Sequence, residues 1–230
     1  MKLIQATEFR TLYKYTRQRW LEDVLRKGKF RIGTLYEYRR YEHPEIGDLD
    51  EGKKQFVFFG TGTIKGLSSA DLNKKFPKLQ LGAASDKQVV HISCEHEPIP
   101  VAIEVHAPDC YVFCMTEVFD VEVMRRFGYD ACLEITDPTR FFMQLSKAMR
   151  PFAVFGSMEP CQYGTRYGFY EDHTPIRPQI LKPEELQHQR EVRILWDPLE
   201  HRGQLSPGTS HLSPMFVWRP KAAKLLRRVA

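Results

Sequence analysis

Glu191 and Arg193 stand two residues apart in Gln187-His188-Gln189-Arg190-Glu191-Val192-Arg193-Ile194-Leu195-Trp196, where Val192, Ile194 and Trp196 alternate with them. A period of two is that of a β-strand. The carboxylate and the guanidinium then share one face, about 7 Å apart at a rise of roughly 3.3 Å per residue. That face is expected to meet water or a ligand. It is either an exposed antiparallel face with an ordinary charge pair or the seat of a catalytic carboxylate, Glu191, oriented by Arg193. In the second role a carboxylate stabilises developing positive charge and holds a hydroxyl.

Other chemistries have weaker support in the residues. No GxSxG occurs, and no cysteine has a nucleophile motif around it. Gly60, Gly62 and Gly66 do not match GxGxxG and read as a turn rather than a phosphate loop. Cys94, Cys110, Cys114, Cys132 and Cys161 are odd in number and lack a CxxC pair, so neither a disulfide framework nor a zinc ribbon is expected. His91, Cys94 and His96 fit no zinc spacing, and no metal site is assigned. Glu42, Asp48, Asp50 and Glu51 would suit magnesium in a nuclease, but no lysine-bearing nuclease motif accompanies them.

The elements that must position these residues are mostly strands. Thr11–Thr16 reads as a strand, and Arg17–Lys27 as a helix with Thr16 as its N-cap and Gly28 as its stop. Lys29–Ile32 reads as a second strand, and the charged, aromatic stretch from Leu35 to Gly52 ends in a loop. Gln55–Ile64, Val89–Ile92, Pro100–Val105, Cys110–Thr116 and Ala131–Ile135 are further strands, with Val121–Tyr129 leading into the last. Asp137-Pro138 opens a helix whose apolar face is Phe141, Phe142, Leu145, Ala148 and Met149. Phe152–Gly156, Cys161–Tyr170 and Met215–Trp218 complete the strands, and Lys221–Arg228 reads as a basic tail. Strands outnumber helices without regular alternation. The expected fold is α+β: a split, mixed or mostly antiparallel sheet with a few flanking helices.

With 230 residues, 42% hydrophobic and 27% charged, the chain is expected to form one domain over 1–230, with a lysine-rich surface insertion around 68–85. No apolar run is long enough to cross a bilayer, and Met1–Ala6 lacks a secretory h-region, so a cytoplasmic protein without membrane partners is expected. The net charge of +5 is compatible with a polyanionic partner.

Leu12-Tyr13-Lys14-Tyr15, the helix ending at Gly28, Phe30-Arg31-Ile32, an acidic loop and the late Arg190-Glu191-Val192-Arg193 together resemble a widespread bacterial family of unknown function. That family is bracketed by an N-terminal LYKY strand and a late ExR strand. Cys110–Ile135 resembles its middle, although Met124–Tyr129 departs from the family's wording. A weaker resemblance is to ADP-ribosyltransferases, including toxins that modify nucleic acid: Lys14-Tyr15-Thr16 falls on their first-strand motif and Glu191 on their catalytic Glu. Lys14 departs from their commonest His.

This resemblance implies an ADP-ribosyltransferase-like fold and NAD as co-substrate. It also implies a bacterial toxin or phage-defence effector acting on nucleic acid or protein, restrained by an antitoxin. Cleaving the nicotinamide–ribose bond passes through an oxocarbenium-like state that Glu191 would stabilise. Lys14, Arg31 and Arg193 are candidate partners for the diphosphate, and Tyr13, Tyr15, Tyr36 or Tyr38 offer aromatic faces. Arg39, Glu42, Asp48 and Glu51 would line the pocket and position substrate, or form a salt-bridged surface loop. The alternative function is a non-catalytic nucleic-acid-binding module that uses Lys74-Lys75, Arg227-Arg228 and stacking tyrosines.

Overall fold

The computed structural model describes residues 9–43, 45–60, 99–169, 176–199 and 212–230, with 58–60 and 99–103 described by backbone alone. The strands are β1 (Leu12–Thr16), β2 (Lys29–Thr34), β3 (Lys53–Gly60), β4 (Ile99–His106), β5 (Tyr111–Thr116), β6 (Ala131–Ile135) and β7 (Ala153–Pro160), then β8 (Gln162–Tyr163), β9 (Tyr167–Phe169), β10 (Leu181–Lys182), β11 (Glu191–Pro198), β12 (Met215–Trp218) and β13 (Leu226–Arg228). Four α-helices accompany them: α1 (Leu21–Leu25), α2 (Val121–Arg126), α3 (Pro138–Met149) and α4 (Pro220–Ala223). The class is α+β with mostly antiparallel sheets; among the described residues only β3–β9 and β8–β10 pair in parallel. The expected insertion at 68–85 and the strand at 89–92 lie outside the described residues.

The main sheet runs β12-β2-β5-β1-β6-β13, with β11 and then β7 added beside β5. Its central feature is a fork. β11 pairs with the whole of β5, from Tyr111 to Thr116, and so takes one entire edge of that strand. On the other edge β2 pairs only at Tyr111 and Val112, and β1 only at Thr116. β1 and β2 therefore diverge and leave the middle of β5 uncovered by a strand. Lys14 fills part of that gap, its Nζ donating to the Cys114 carbonyl at 2.7 Å.

Both sheet faces are packed. α3 starts at Asp137, whose side chain accepts from the Arg140 N–H at 2.9 Å, with Pro138 in its first turn. It buries Phe141, Leu145 and Met149 against Leu12, Phe30, Phe113, Ile194 and Trp196. Each such side chain is worth about 1.5–3 kcal/mol when fully buried. On the opposite face Leu195 and Val112 pack with Leu35, Tyr36, Ala107 and Ile180.

Several expectations are corrected. The helix predicted over 17–27 is a 3-10 turn, Gln18–Trp20, followed by the short α1, and Thr16 is the last residue of β1. Its start is met from elsewhere, since Gln18 N–H donates to Asp130 at 2.6 Å. Its stop at Gly28 holds, for a physical reason: φ there is +65°, and a Cβ would lie 2.5 Å from the Pro220 nitrogen. The lead-in at 121–129 contains α2, capped by the Asp120 side chain. The basic tail is α4 and β13, which pairs with β6 and sets Arg227 Nε 2.7 Å from Glu134. Finally, the middle of β11 is buried on both faces: Val192 to Trp196 lie between β5 and β7, so Arg193 is not on an exposed face, and Glu191 at the start of the strand and Asp197 near its end keep some access.

Candidate functional site: a buried carboxylate beside the strand fork

β11 begins at Glu191 directly after Arg190, which sits at φ 42° and ψ 48°, the left-handed region that side chains other than Gly rarely adopt. The turn hands the chain from a 3-10 segment, Glu184–Gln189, into the sheet. Backbone bonds then fix Glu191: its N–H donates to the Tyr163 hydroxyl at 2.7 Å, and its carbonyl accepts from Cys161 N–H at 2.8 Å.

Two cations hold its carboxylate. Lys182 Nζ donates to one oxygen at 2.6 Å, and Arg193 Nε donates to the other at 2.6 Å. Only 11% of the Glu191 side chain is exposed. Burial alone would raise its pKa, but Arg193 and Lys182 together hold it well below the usual carboxylate range. Glu191 is therefore ionised at neutral pH. Lys182 is bound further by the Gln189 side chain at 2.5 Å. Burial lowers the lysine's pKa while Glu191 raises it, and the net direction is upward.

Arg193 is held by several partners. Its terminal nitrogens reach both Glu51 oxygens, at 2.7 and 2.9 Å, and the Gln179 carbonyl at 2.7 Å. A bidentate pair of this kind fixes orientation as well as charge. Four of the five guanidinium N–H groups are thus engaged with protein oxygens, and the side chain is 2% exposed. Glu51 is spent on the same pair, and Asp48 on a second one, with Arg166 at 2.7 and 2.5 Å. Asp50 pairs with Lys53 at 2.9 Å and Tyr167 at 3.0 Å. These carboxylates anchor the acidic loop to the body.

Glu191 opens into a cavity of about 80 Å³ lined by Tyr13, Lys14, Tyr38, Cys114, Lys182 and Gln189, among others. Tyr38 donates to, or accepts from, the Cys114 thiol at 3.2 Å. Burial pushes the Cys114 thiol up to about 12, so it stays protonated at neutral pH and is a poor nucleophile. Burial also lowers the Lys14 ammonium, partly offset by Cys114 and Glu191. Lys14 rests 4.8 Å from the centre of the Phe113 ring. Its cavity shares Lys14, Tyr38, Cys114 and Tyr129 with a groove of about 540 Å³ running between the diverging β1 and β2, whose walls include Arg17, Lys29, Arg31 and Tyr41.

Of the residues singled out in the sequence, Tyr13, Lys14, Tyr15, Glu191 and Arg193 line the cavity, and Arg31 lines the groove. Tyr15 is largely structural: its hydroxyl donates to the Val118 carbonyl at 3.1 Å and accepts from Asp120 N–H at 2.9 Å. Arg31 pairs with Glu37 and is otherwise exposed. Arg39, Glu42, Asp48 and Glu51 line neither space; Arg39 stacks on Tyr36 at 3.6 Å, and Glu42 points to solvent. Tyr36 is buried, its hydroxyl donating to the Ala107 carbonyl at 2.7 Å.

Sequence reasoning missed Lys182 and Gln189. Lys182 lies in a two-residue strand that pairs only with β8, and such a pairing has no periodic signal. The left-handed Arg190 is likewise invisible in residue types. No protein-family model, curated protein or solved structure matches the chain. Among the described residues no helix is long and apolar enough to cross a membrane, and no cluster of three or more metal-ligating side chains occurs.

Proposed function

We propose that the protein is an NAD-dependent ADP-ribosyltransferase or NAD glycohydrolase of ADP-ribosyltransferase-like fold, binding the dinucleotide between β1 and β2. The observation that carries this reading is the adjacency of two spaces. A fixed anion, Glu191, lines a small cavity that adjoins, across the shared side chains of Lys14, Tyr38 and Tyr129, a groove of about 540 Å³, a size within the range of ligand sites. The small end suits a nicotinamide riboside, with Tyr38 or Tyr129 against the ring. Lys14 and Arg31 stand where a diphosphate would need cations.

In this reading the bond between ribose C1′ and the nicotinamide nitrogen breaks, and its electron pair leaves on nicotinamide. Positive charge develops on the ribosyl ring, and the carboxylate of Glu191 stabilises it. Water or an acceptor oxygen or nitrogen then bonds to C1′, and the displaced proton passes to solvent. Glu191 takes no proton in the resting site, because two cations keep it charged. Lys182 and Arg193 act by holding it in place. Such an activity would suit a toxin or phage-defence effector.

The test is incubation with NAD labelled in its adenylate half, together with an assay of nicotinamide release, for the wild type and Glu191→Gln. The proposal predicts release by the wild type and a loss of about a hundredfold or more in the variant. Equal release by both would remove it.

A further inference from the structure

We infer that the outer wall of the groove is a landing track for single-stranded nucleic acid, and that this strand is the ADP-ribose acceptor. The acceptor assignment rests on the proposed NAD chemistry; the binding surface does not.

The track is built on β12, an edge strand. Val217 is buried, so the period of two turns Phe216 and Trp218 outward, 50% and 61% exposed. Two large rings so open to water on one strand face are unusual without a partner. Both rings share one cation, Lys29. The register sets Phe216 beside Arg31 and Trp218 beside Lys29. Lys29 Nζ lies 4.5 Å from the Phe216 ring centre and 5.9 Å from that of Trp218. Nearby on the groove wall Trp20 is 41% exposed, with the guanidinium carbons of Arg19 and Arg17 at 5.0 and 5.9 Å from its ring.

Rings for bases interleaved with cations for phosphates are the arrangement that recognises a single strand. A duplex keeps its base faces stacked and cannot use the rings. Two acidic groups lie among these cations, Asp23 at 2.6 Å from Lys27 and 3.7 Å from Lys29 and Glu37 paired with Arg31, and the five cations Arg17, Arg19, Lys27, Lys29 and Arg31 outnumber them. Lys29, Arg31 and Phe216 line the same groove as Lys14 and Tyr38, so a strand on this track reaches the proposed NAD site. In the transfer the C1′–nicotinamide bond breaks with its electron pair leaving on nicotinamide. A nucleophilic oxygen or nitrogen of the strand bonds to C1′ and releases its proton to solvent.

Fluorescence anisotropy with labelled oligonucleotides of about 12 nucleotides, as single-stranded DNA, single-stranded RNA and duplex, tests the track without NAD. The wild type should bind one or both single strands more tightly than duplex and weaken with salt. Phe216→Ala/Trp218→Ala, at exposed positions and with its fold checked by circular dichroism, should weaken binding about tenfold or more. Equal binding by wild type and double variant, or equal binding of duplex, overturns the track. Addition of labelled NAD tests the acceptor: label should appear on the bound oligonucleotide with the wild type and not with Glu191→Gln. Nicotinamide release without labelled oligonucleotide overturns the acceptor while leaving NAD cleavage standing. Absence of any NAD turnover removes the chemistry and the acceptor together, and the anisotropy result still decides the track.

Discussion

Lys182 Nζ lies 2.6 Å from Glu191 Oε2, and both side chains are withdrawn from water, 5% and 11% exposed. The pair is one link in a chain of buried charges that continues from Glu191 through Arg193 to Glu51. Ion pairs of this kind contribute little net stability relative to a hydrocarbon core, but losing one partner strands the other. Their position beneath the strand fork, rather than their energy, ties them to a site.

Arg193→Met should therefore be among the most damaging single changes. It leaves Glu51 and half of Glu191 unneutralised in the interior, at a cost of about 3–5 kcal/mol. Urea unfolding of the variant should show a loss of unfolding free energy of that size, the midpoint shift multiplied by m. A shift below about 1 kcal/mol would mean that the network is hydrated and loose.

The pH dependence follows from the direction of the Glu191 shift. Its folded pKa lies below the ordinary value of 4.5, so the unfolded chain binds more protons there between the two values. The stability contributed by the charged carboxylate is present above about pH 4.5 and drains away as the pH falls towards the folded value. The stability difference between wild type and Glu191→Gln should be constant from pH 6 to 5 and shrink below about 4.5. A difference independent of pH down to acid unfolding would contradict this.

Arg190 holds a left-handed backbone at the entrance to β11, with its side chain exposed. Arg190→Gly should remove that strain and stabilise the fold by up to about 1 kcal/mol, read as a rise in thermal midpoint. Destabilisation would show that the arginine side chain, and not the turn, matters at this position.

Cys114 lines the cavity, yet its thiol is pushed up to about 12 by burial, with Glu191 adding to the effect. Native protein treated with iodoacetamide at pH 8 should alkylate there far more slowly than protein unfolded in urea, as mass spectrometry of the peptide would show. Rapid native labelling would mean that the cavity is open and the thiol activated.

The strands at Leu12, Tyr111, Ala131, Glu191 and Met215 and the helix opening at Asp137-Pro138 were legible because each has a clean period or a cap. α2 was not, since Val121-Glu122-Val123 carries a β-like alternation and only Asp120 marks a start. The burial of Arg193 was hidden for a different reason. A lone guanidinium on a strand reads as solvent-facing unless its partner is known, and that partner, Glu51, is 142 positions away. Lys14 and Glu191 were singled out from residue type, strand alternation and a family resemblance; that both line one cavity depends on β1 and β11 flanking opposite edges of β5, which no local pattern encodes.

Nicotinamide release from NAD by the wild type and Glu191→Gln, each verified as folded by circular dichroism, tests the central claim most directly. The account predicts turnover by the wild type and a loss of about a hundredfold or more in the variant. Equal rates, or no release by the folded wild type under any acceptor condition, would contradict it.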